Sequence, residues 1–421
     1  MQGMPQRASG SGIVIIGGGL AGGTAAVTVR QDGFVDPVTV IGPEPGVPFG
    51  RPPLSKTYLR SEEDIAGWYV RPASWYQEHQ VDRVRASAAA IDAAAHQVLL
   101  DSGQQVAYHK LLISTGGRNR RLKLPGTDLP GIRYLRTVAE CEAIKGEAVA
   151  GRRAVVVGMS FIGSEVAASL TQLGVHVTAI FPGRFPLERV LGGKIGALFG
   201  DIHRAHGVEL LAGGQVAAFE GTERLEAVTT VSGIRVECDF AVAGVGIEPL
   251  VPPEPGHSIA QHNGILVDEL CRASADDVYA AGDVANHLHP VFGRVRVEHY
   301  NNAEKQGAAA ARSMLGSNVP YDYIHSFWSD QYQHKLEYVG HATKWDEFVV
   351  RGSTAEGGLI GFYLVDGLVK AAVGLDRGGD PELDTDSEMA AAARLVAARA
   401  RPARNLLTDE QADLWSLVTD A

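Results

Sequence analysis

Three glycines, Gly17, Gly19 and Gly22, have the spacing of a turn that binds phosphate groups. They follow the apolar, β-branched run GIVII and precede the alanine-rich run LAGGTAAVTVR, which predicts a strand, a tight turn and a helix. Glycines at these positions let the backbone turn sharply, approach a pyrophosphate closely and pack the helix against the strand. The phosphate then lies at the N-terminus of the helix, beside Leu20 and Ala21. The spacing therefore predicts a dinucleotide-binding turn.

An acidic residue follows the next predicted strand. The run VTVIGPE places Glu44 about 20 residues after the glycine turn, where a carboxylate can bind the hydroxyl groups of a ribose. Glycine turns occur in many loops, but the strand, the helix and the acid together favour a bound dinucleotide.

A second strand, turn and helix are predicted by RRAVVVGMSFIG, the helical run SEVAASLTQLG and the strand VHVTAIF. Gly158 and Gly163 keep the outer glycines of the turn, whereas Ser160 replaces the middle one. Phe161 and Ile162 complete the turn. We expect the backbone at Ser160 to stand slightly farther from a pyrophosphate than at a glycine.

No acid follows this second fold at the expected place, where Phe181, Pro182, Gly183 and Arg184 stand instead. An acid would favour NADH, whereas Arg184 could bind the 2′-phosphate of NADPH. Arg184 could equally be a solvated turn residue, so the preferred nicotinamide nucleotide stays open.

A third glycine and acid pair, Gly282 and Asp283, follows the strand-like run VYAA. An acid there can bind a ribityl chain or, through water, phosphate oxygens. Two nucleotide folds with different turns predict two dinucleotides, and FAD with NAD(P)H is the economical pair, since a flavin accepts the hydride that nicotinamide donates. We expect an α/β chain with two Rossmann-like folds, the first of which holds FAD.

Composition excludes several classes of protein. The 421 residues carry a formal net charge of −11, which argues against a general nucleic-acid-binding protein, because neutralising phosphates needs a broad basic surface. The N-terminal run MQGMPQRASGSG lacks the apolar segment of a signal peptide, and no stretch has the roughly 18 apolar residues of a membrane span. We therefore expect a cytoplasmic protein.

The three cysteines, Cys141, Cys238 and Cys271, are far apart in the chain. Their spacing indicates neither a disulfide framework, nor a redox-active dithiol, nor a metal site, and it favours buried single thiols.

Seven motifs give the chain a family resemblance: GGGLAGG, RPPLSK, STGGRNRRLKLPG, SFIGSEVAASL, VYAAGDVAN, VEHYNNAEKQGAAAARSMLG and FWSDQYQHKLEYVGHATKWDEFVVRG. The chain resembles the FAD-dependent pyridine nucleotide oxidoreductases and, more narrowly, the ferredoxin reductases that serve oxygenases, including their apoptosis-inducing-factor-like branch. The resemblance implies four segments: FAD-binding residues 11–120, NAD(P)-binding residues 121–250, a second FAD-binding segment 251–325, and a C-terminal α+β domain 326–421.

RPPLSK stands where disulfide reductases of this superfamily carry a redox-active cysteine pair. Pro52 and Pro53 fix their φ angles and lack amide donors, so the loop can be stiff. The resemblance implies that Lys56 lies beside the flavin N5 and pairs with Glu165. A lysine there would stabilise negative charge on the reduced flavin.

Four further residues take roles that the resemblance implies. Glu298 would approach the carboxamide of nicotinamide, and His299 and Tyr300 would flank the flavin pocket. The family usually has tryptophan in place of Tyr300. Trp328 resembles the aromatic residue that closes the pocket near the flavin ring.

Other nucleotide contacts also follow from the resemblance. Arginine suits pyrophosphate because its planar fork binds two oxygens at once. Arg118 and Arg121 compete with Arg120 for this role. The implied FAD contacts are Arg51, Thr115, Gly116 and Arg120, and the implied nicotinamide loop contains Gly244 and Gly246.

The C-terminal part predicts an antiparallel sheet, because KLEYVGHA, EFVVRG, LIGFYLVDG and LVKAAVGL alternate between turns. The run SEMAAAARLVAARA predicts a helix that is capped near Asp386 or Ser387 and ends before Pro402. We expect this domain to cover the flavin and form interfaces rather than perform chemistry.

The leading hypothesis is an NAD(P)H:ferredoxin-type reductase whose partner is a ferredoxin or Rieske-type iron–sulfur protein. An oxidase, a quinone- or nitrite-linked reductase, and a nicotinamide-dependent signalling flavoprotein share the same motifs, and a homodimer stays open. An acidic partner would need basic groups near the flavin edge. The candidates for these groups are Arg294, Arg296, Lys305, Arg312 and Lys335.

Overall fold

The computed structural model describes residues 12–418, which form two compact units. The first unit comprises residues up to Arg51, Ile65–Arg118 and Glu248–His325, and the second comprises Pro52–Asp64, Asn119–Ile247 and the chain from Ser326. The short segment Pro52–Asp64 belongs to the second unit because its contacts are with residues of that unit. The four functional segments inferred from the sequence stay a prediction.

Short strands and two α-helices lie between residues 12 and 119. The apolar run of the first strand is completely buried, as expected for a strand in a parallel sheet covered on both faces. In order they are β1 Ile13–Ile16, α1 Leu20–Gln31, β2 Val38–Ile41, α2 Ala73–Glu78, β3 Val81–Val84, β4 Ala88–Asp92, β5 Gln97–Leu100, β6 Gln105–Ala107, β7 Lys110–Ile113 and β8 Gly117–Asn119.

The middle of the chain repeats the strand, turn and helix pattern. Its elements are β9 Ile132–Arg133, α3 Val138–Glu147, β10 Arg153–Val157, α4 Phe161–Gln172, β11 His176–Phe181, α5 Glu188–Ala205, β12 Glu209–Ala212, β13 Val216–Glu220, β14 Ala227–Thr230, β15 Arg235–Glu237, β16 Phe240–Ala243 and β17 Ile247–Pro249.

The remaining elements complete the first unit and then form the C-terminal part. They are β18 Ile265–Val267, β19 Val278–Ala280, β20 Ala285–His289, β21 Gly293–Val295, α6 Tyr300–Met314, β22 Ser326–Gln331, β23 His334–Gly340, β24 Glu347–Ser353, β25 Gly358–Val365, β26 Leu368–Leu375, α7 Glu388–Ala397 and α8 Arg404–Thr408.

The first unit is built on a parallel sheet with the strand order β19-β7-β1-β2-β3. Helix α1 packs against α6 so closely that a Cβ at Gly307 would lie 2.4 Å from the carbonyl oxygen of Ala21. This glycine therefore fixes how near the two helices come. Two three-stranded sheets, β4-β5-β6 and β18-β20-β21, complete the unit.

The second unit contains a parallel sheet with the order β12-β11-β10-β16-β9 and an antiparallel sheet with the order β22-β23-β26-β25-β24. A three-stranded sheet, β13-β14-β15, accompanies them. Leu191, Ile195 and Phe199 recur every four residues along α5, which places them on one face of the helix. They share a buried cluster with Leu336 and Tyr338 of the antiparallel sheet. This apolar face joins the middle and C-terminal segments.

The structure confirms the predicted α/β class and the C-terminal sheet, and it adds β22, which the alternating pattern did not mark as a strand. The predicted helix is α7, whose N-cap Ser387 accepts a hydrogen bond from the backbone N–H of Ala390. Within residues 12–418, no helix combines the length and hydropathy needed to cross a membrane.

Candidate active site

The first glycine turn leaves almost no room for side chains. Gly17 has a φ of +116°, and a Cβ on it would lie 2.2 Å from the carbonyl oxygen of Ser114. A Cβ on Gly22 would lie 2.1 Å from the carbonyl oxygen of Gly17, so the helix starts directly against the turn. Glycine is required at both positions because any side chain would collide with backbone.

Gly19 is the N-cap of α1 and has a different environment. Among the described residues, a Cβ built on Gly19 would meet no heavy atom within 4 Å, and no side chain caps the helix. Gly19 therefore offers no side chain to cap the N–H groups of the first turn, which begins with Leu20 and Ala21. A helix N-terminus of this kind attracts an anion such as a pyrophosphate.

A cavity of 330 Å³ lies where strands β1, β2 and β3 end. Glu44 lines it and forms an ion pair with Arg51, with 2.7 Å between Oε2 and Nη2. The guanidinium of Arg51 also lies over the ring of Phe49, 5.1 Å from its centroid. The glycine turn, the uncapped helix start and this cavity, which is lined by Glu44 and by the cations Arg83 and Arg85, together fit the pyrophosphate and adenosine ribose of a dinucleotide.

Gly282 and Asp283 form a 3₁₀ turn after β19. The N–H of Gly282 donates to Oε1 of Gln306 at 2.9 Å, and a Cβ on Gly282 would lie 3.1 Å from the Cβ of Ala21. Asp283 therefore follows a residue that packs against the first turn of α1. A carboxylate there can bind a hydroxyl chain that extends from a pyrophosphate.

The second glycine turn has the same backbone but a different middle residue. Gly158 has a φ of +92°, and a Cβ on Gly163 would lie 2.0 Å from the carbonyl oxygen of Gly158. Ser160 is the N-cap of α4, yet its hydroxyl donates to the carbonyl oxygen of Gly244 at 3.3 Å instead of capping the helix. The N–H groups of this helix start are thus also available to an anion.

The first residues of α4 and the loop after β16 complete this turn. Ile162 is exposed, whereas Phe161 packs edge-on against Phe327 with the ring centroids 4.9 Å apart. Gly246 has a φ of +90°, and its carbonyl oxygen accepts the N–H of Arg120 at 3.0 Å.

Arg184 lies exposed in the loop after β11, with its guanidinium 5.2 Å from the ring centroid of Phe185. The backbone N–H groups of both residues donate to Oε2 of Glu188, at 2.8 and 3.3 Å. Sequence reasoning missed Glu188, which stands at the start of α5 and reaches back to the loop. The loop therefore contains an exposed cation beside a carboxylate that already accepts two backbone donors.

Lys56 and Glu165 form an ion pair, with 2.6 Å between Nζ and Oε2. Lys56 follows the single 3₁₀ turn Pro52–Ser55 and donates its N–H to the carbonyl oxygen of Pro53 at 2.9 Å. Relative exposure is only 8% for Lys56 and 3% for Glu165. The pairing that the resemblance implied is thus present, in a buried environment where charges interact strongly.

Two serines that sequence reasoning did not single out complete the surroundings of Glu165. The hydroxyl of Ser55 donates to Oε2 at 2.5 Å, and the hydroxyl of Ser329 donates to Oε1 at 2.7 Å. Both serines lie in motifs that carry the family resemblance, RPPLSK and FWSDQ, and this position is the sequence feature that could have identified them. Each carboxylate oxygen therefore accepts at least one hydrogen bond, as a buried carboxylate requires.

The residues at the start of α6 belong to the first unit. Glu298 is exposed and pairs with Arg296 at 2.7 Å, and His299 is the N-cap of the helix. Tyr300 meets Trp68 edge-on, with 6.0 Å between ring centroids, and burial raises its pKa to about 12. The expectation that Arg296 offers an exposed docking charge is wrong, because its side chain is buried against Glu298.

Trp328 is half-buried in β22, and its cross-strand partner in β23 is Glu337. Burial first, and then the nearby carboxylates of Asp380 and Asp330, raise the pKa of Glu337 to about 8. A tryptophan and a carboxyl group that holds its proton at neutral pH are therefore neighbours across the sheet.

The other predicted contacts have these partners. The hydroxyl of Thr115 donates to the carbonyl oxygen of Leu250 at 2.5 Å, and the carbonyl oxygen of Gly116 accepts the N–H of Leu250 at 2.9 Å. Arg118 pairs with Glu248 at 2.6 Å, Arg121 pairs with Glu140 at 3.5 Å, and Arg120 is exposed and donates to the carbonyl oxygen of Ile247 at 3.1 Å.

All three cysteines are free and buried, as predicted. Burial raises the pKa of both Cys141 and Cys238 to about 12, so neither is a thiolate at neutral pH. Within residues 12–418, no group of three or more His, Cys, Asp and Glu side chains is arranged to hold a metal ion.

Comparison with known families gives two matches that together cover most of the chain. The family described as "Pyridine nucleotide-disulphide oxidoreductase" matches residues 11–307, and the one described as "Reductase C-terminal" matches residues 326–418.

Two curated relatives are similar over most of their length. Rhodocoxin reductase of Rhodococcus erythropolis is 37% identical over 348 residues, which cover 82% of this chain and 82% of the relative. The ferredoxin reductase subunit of the 5,5'-dehydrodivanillate O-demethylase from a Sphingobium species is 37% identical over 367 residues, or 85% of this chain and 88% of the relative.

Two solved structures are similar over nearly the whole chain. The ferredoxin reductase for the CYP199A2 system from Rhodopseudomonas palustris has a TM-score of 0.90 and 30% identity, covering 97% of this chain and 100% of that one. The reductase in a covalent putidaredoxin reductase–putidaredoxin complex has a TM-score of 0.89 and 30% identity, covering 97% and 98%.

Proposed function

This chain belongs to the pyridine nucleotide-disulphide oxidoreductase family, and we propose that it passes electrons from NAD(P)H to an iron–sulfur protein of an oxygenase or P450 system. It is an FAD-dependent oxidoreductase, and its cofactors are FAD and NAD(P)H. The observation that carries the proposed electron route is the buried Lys56–Glu165 pair in a chain without a redox-active dithiol.

Different residues of the first unit would bind different parts of FAD. The turn of Gly17, Gly19 and Gly22 would hold the pyrophosphate at the start of α1, Glu44 the adenosine ribose, and Asp283 the ribityl chain. When bound, FAD supplies the chemistry of the reaction, because it accepts two electrons together from NAD(P)H and releases them one at a time.

The second glycine turn would bind the NAD(P)H. Gly158, Ser160 and Gly163 present the start of α4 to its pyrophosphate, and Gly244 and Gly246 would border the nicotinamide end. Arg184 would bind the 2′-phosphate of NADPH, since its guanidinium is exposed at the end of β11.

Lys56 would hold a positive charge at the place where the flavin gains negative charge. Glu165 fixes its position at 2.6 Å, and because the pair is buried the charge needs no reorganisation of water during the reaction. No side chain has to act as an acid or a base in this scheme. By the resemblance, Trp328 would lie near the flavin ring, Glu298 near the carboxamide of nicotinamide, and His299 and Tyr300 beside the flavin.

An iron–sulfur partner, a ferredoxin or a Rieske-type protein, is proposed because the relatives include reductases named for ferredoxin and putidaredoxin. Exposed cations would steer an acidic partner despite the negative total charge. Arg294, Lys305, Arg312 and Lys335 are exposed and remain candidates. We place the reaction in the cytoplasm, since NAD(P)H is supplied there and the cysteines are free thiols.

The test is anaerobic stopped-flow reduction of the FAD-loaded protein by NADH and by NADPH, followed by reoxidation. A [2Fe–2S] ferredoxin should reoxidise the reduced protein much faster than oxygen, a quinone or nitrite does. Faster reoxidation by one of those three would assign the protein to an oxidase or another reductase. Slow turnover with a persistent long-wavelength band and altered sedimentation would favour a signalling role instead.

A further inference from the structure

A continuous series of buried side chains begins at Glu165 and leads away from Lys56. The hydroxyl of Ser329 donates to Oε1 of Glu165, and Nε2 of Gln331 donates to that same hydroxyl oxygen at 3.2 Å. Oε1 of Gln331 accepts the hydroxyl of Ser164 at 2.8 Å. Ser329, Gln331 and Ser164 are essentially inaccessible to solvent.

The series continues to the turn between β22 and β23. Nε2 of His203 lies 2.7 Å from the hydroxyl of Ser164 and 3.1 Å from Oε1 of Gln331. Its Nδ1 lies 3.0 Å from the hydroxyl of Tyr332, whose half-buried ring stacks on His206 at 3.7 Å between centroids. We call the six residues Glu165, Ser329, Gln331, Ser164, His203 and Tyr332 the polar chain.

The charge of Glu165 determines the direction of every hydrogen bond in the polar chain. An ionised carboxylate only accepts, so Ser329 must donate to it and must itself accept from the amide nitrogen of Gln331. The amide oxygen then accepts the hydroxyl of Ser164 and lies 3.1 Å from Nε2 of His203. Both neighbours of Nε2 are therefore acceptors, which assigns the proton of His203 to Nε2. Nδ1 of His203 is left as an acceptor for Tyr332. Burial lowers the pKa of His203 to about 4, which agrees with a neutral imidazole.

We propose that the polar chain is a positioning device, in which Ser329, Gln331 and His203 hold the carboxylate of Glu165 in place and thereby fix the position of the Lys56 ammonium. All donors of the polar chain point toward one carboxylate, so their dipoles add at that point. The inference deepens the proposed function, since it assigns roles to residues that do not touch the Lys56 ammonium.

The polar chain is unsuited to conduct a proton from end to end. The amide of Gln331 lies between Ser329 and His203, and an amide cannot pass a proton along without becoming an unstable tautomer. A fixed direction of donors is what this arrangement can provide.

The first test reads the tautomer of His203 in the FAD-loaded protein labelled with ¹⁵N-histidine. Long-range ¹H–¹⁵N correlation spectra distinguish a proton on Nε2 from one on Nδ1, and loss of the signals in His203→Gln assigns them. We expect the Nε2–H tautomer in the unmutated protein.

A proton on Nδ1 in the unmutated protein would overturn the proposal, because it would contradict the direction of the hydrogen bonds. This result does not depend on the electron acceptor, so the test stands even if the protein is not a reductase of iron–sulfur proteins.

The second test measures the rate constant of flavin reduction by NAD(P)H in serine variants. Ser329→Ala should slow reduction about tenfold, because one oxygen of Glu165 loses its donor. Ser329→Thr keeps a hydroxyl and should recover most of the rate. Ser326→Ala is the matched control, because Ser326 is a buried serine of the same strand whose hydroxyl bonds to Glu382.

Equal rates in the unmutated protein, Ser329→Ala and Ser326→Ala would contradict the proposal. If the unmutated protein is not reduced by either nucleotide, the proposed function fails, and the histidine spectra still decide the inference. The two failures are therefore distinguishable.

Discussion

The two strand–turn–helix units of this chain have the same backbone and use the body of the helix differently. In α1 the residues after the turn are small and uncharged, and Ala21 allows α6 to approach at Gly307. In α4 the corresponding turn contains Ser164 and Glu165, which are buried and hydrogen-bonded. The first helix is thus built for close packing around a resident dinucleotide, and the second also carries a charge.

The two glycine turns also differ in their middle residue. Gly19 leaves space at the start of α1, whereas Ser160 places a hydroxyl at the start of α4 and bonds to Gly244. The space at Gly19 lets a pyrophosphate approach the backbone closely, whereas the side chain of Ser160 would keep a pyrophosphate slightly farther away. The acidic residues near the two turns differ as well. Glu44 lines a cavity, whereas Glu188 accepts hydrogen bonds from backbone N–H groups.

The largest expected effect comes from exchanging the last glycine of each turn for alanine. A Cβ would lie 2.1 Å from the carbonyl oxygen of Gly17 in Gly22→Ala and 2.0 Å from that of Gly158 in Gly163→Ala. Gly22→Ala should yield protein without FAD, and Gly163→Ala should keep FAD but lose reduction by NAD(P)H. Flavin absorbance measures the amount of bound FAD, and thermal melting shows whether each variant is folded. Gly19→Ala is the control, because its Cβ would meet no atom of the described residues within 4 Å. It should lose FAD while the protein stays folded. Loss of FAD in Gly163→Ala would contradict the assignment of FAD to the first turn and NAD(P)H to the second.

The second prediction concerns the charge that α4 carries. Lys56→Met should slow flavin reduction on the order of 10²-fold while FAD stays bound, since one preorganised charge is lost. It should also destabilise the protein by about 3–5 kcal/mol, because Glu165 is left buried without a partner. The double variant Lys56→Met with Glu165→Gln should regain stability but not the rate, which separates the two effects by denaturation and stopped-flow measurements. Unmutated kinetics in Lys56→Met would remove Lys56 from the mechanism.

The third prediction concerns the loop after β11. Arg184→Glu should raise KM for NADPH by about tenfold or more, as one charge-assisted contact to a phosphate is replaced by repulsion, and should leave KM for NADH nearly unchanged. Arg189→Glu is the matched control, because Arg189 is an exposed arginine at the start of α5. Equal changes for both nucleotides would indicate that Arg184 does not contact the 2′-phosphate.

The smallest expected effect is the pH dependence of stability from Glu337. Its pKa rises from 4.5 to about 8 on folding. Between these values the unfolded chain has released a proton that the folded protein still holds, so the free energy of unfolding falls as pH rises. Glu337→Gln should therefore raise the melting temperature by a few degrees at pH 8 and change it little at pH 4.5. An equal shift at both pH values would argue against the raised pKa.

Local patterns in the sequence determined the two nucleotide folds. Glycine spacing, β-branched runs and the helix that follows each turn depend on residues close together in the chain, so Gly17, Gly22, Gly158 and Gly163 could be identified before the structure. The resemblance supplied Lys56 and Glu165, but no local pattern predicts that pair.

The surroundings of the pair were decided by the tertiary structure alone. Glu165 meets Ser55 from 110 residues away and Ser329 from 164 residues away, and Ser164 meets Gln331 from 167 residues away. Such contacts depend on how sheets and helices pack, which a short-range pattern does not encode. The sequence by itself therefore determined where dinucleotides bind, and only packing determined which side chains hold the buried charge, because a buried carboxylate must find its donors wherever the fold brings them.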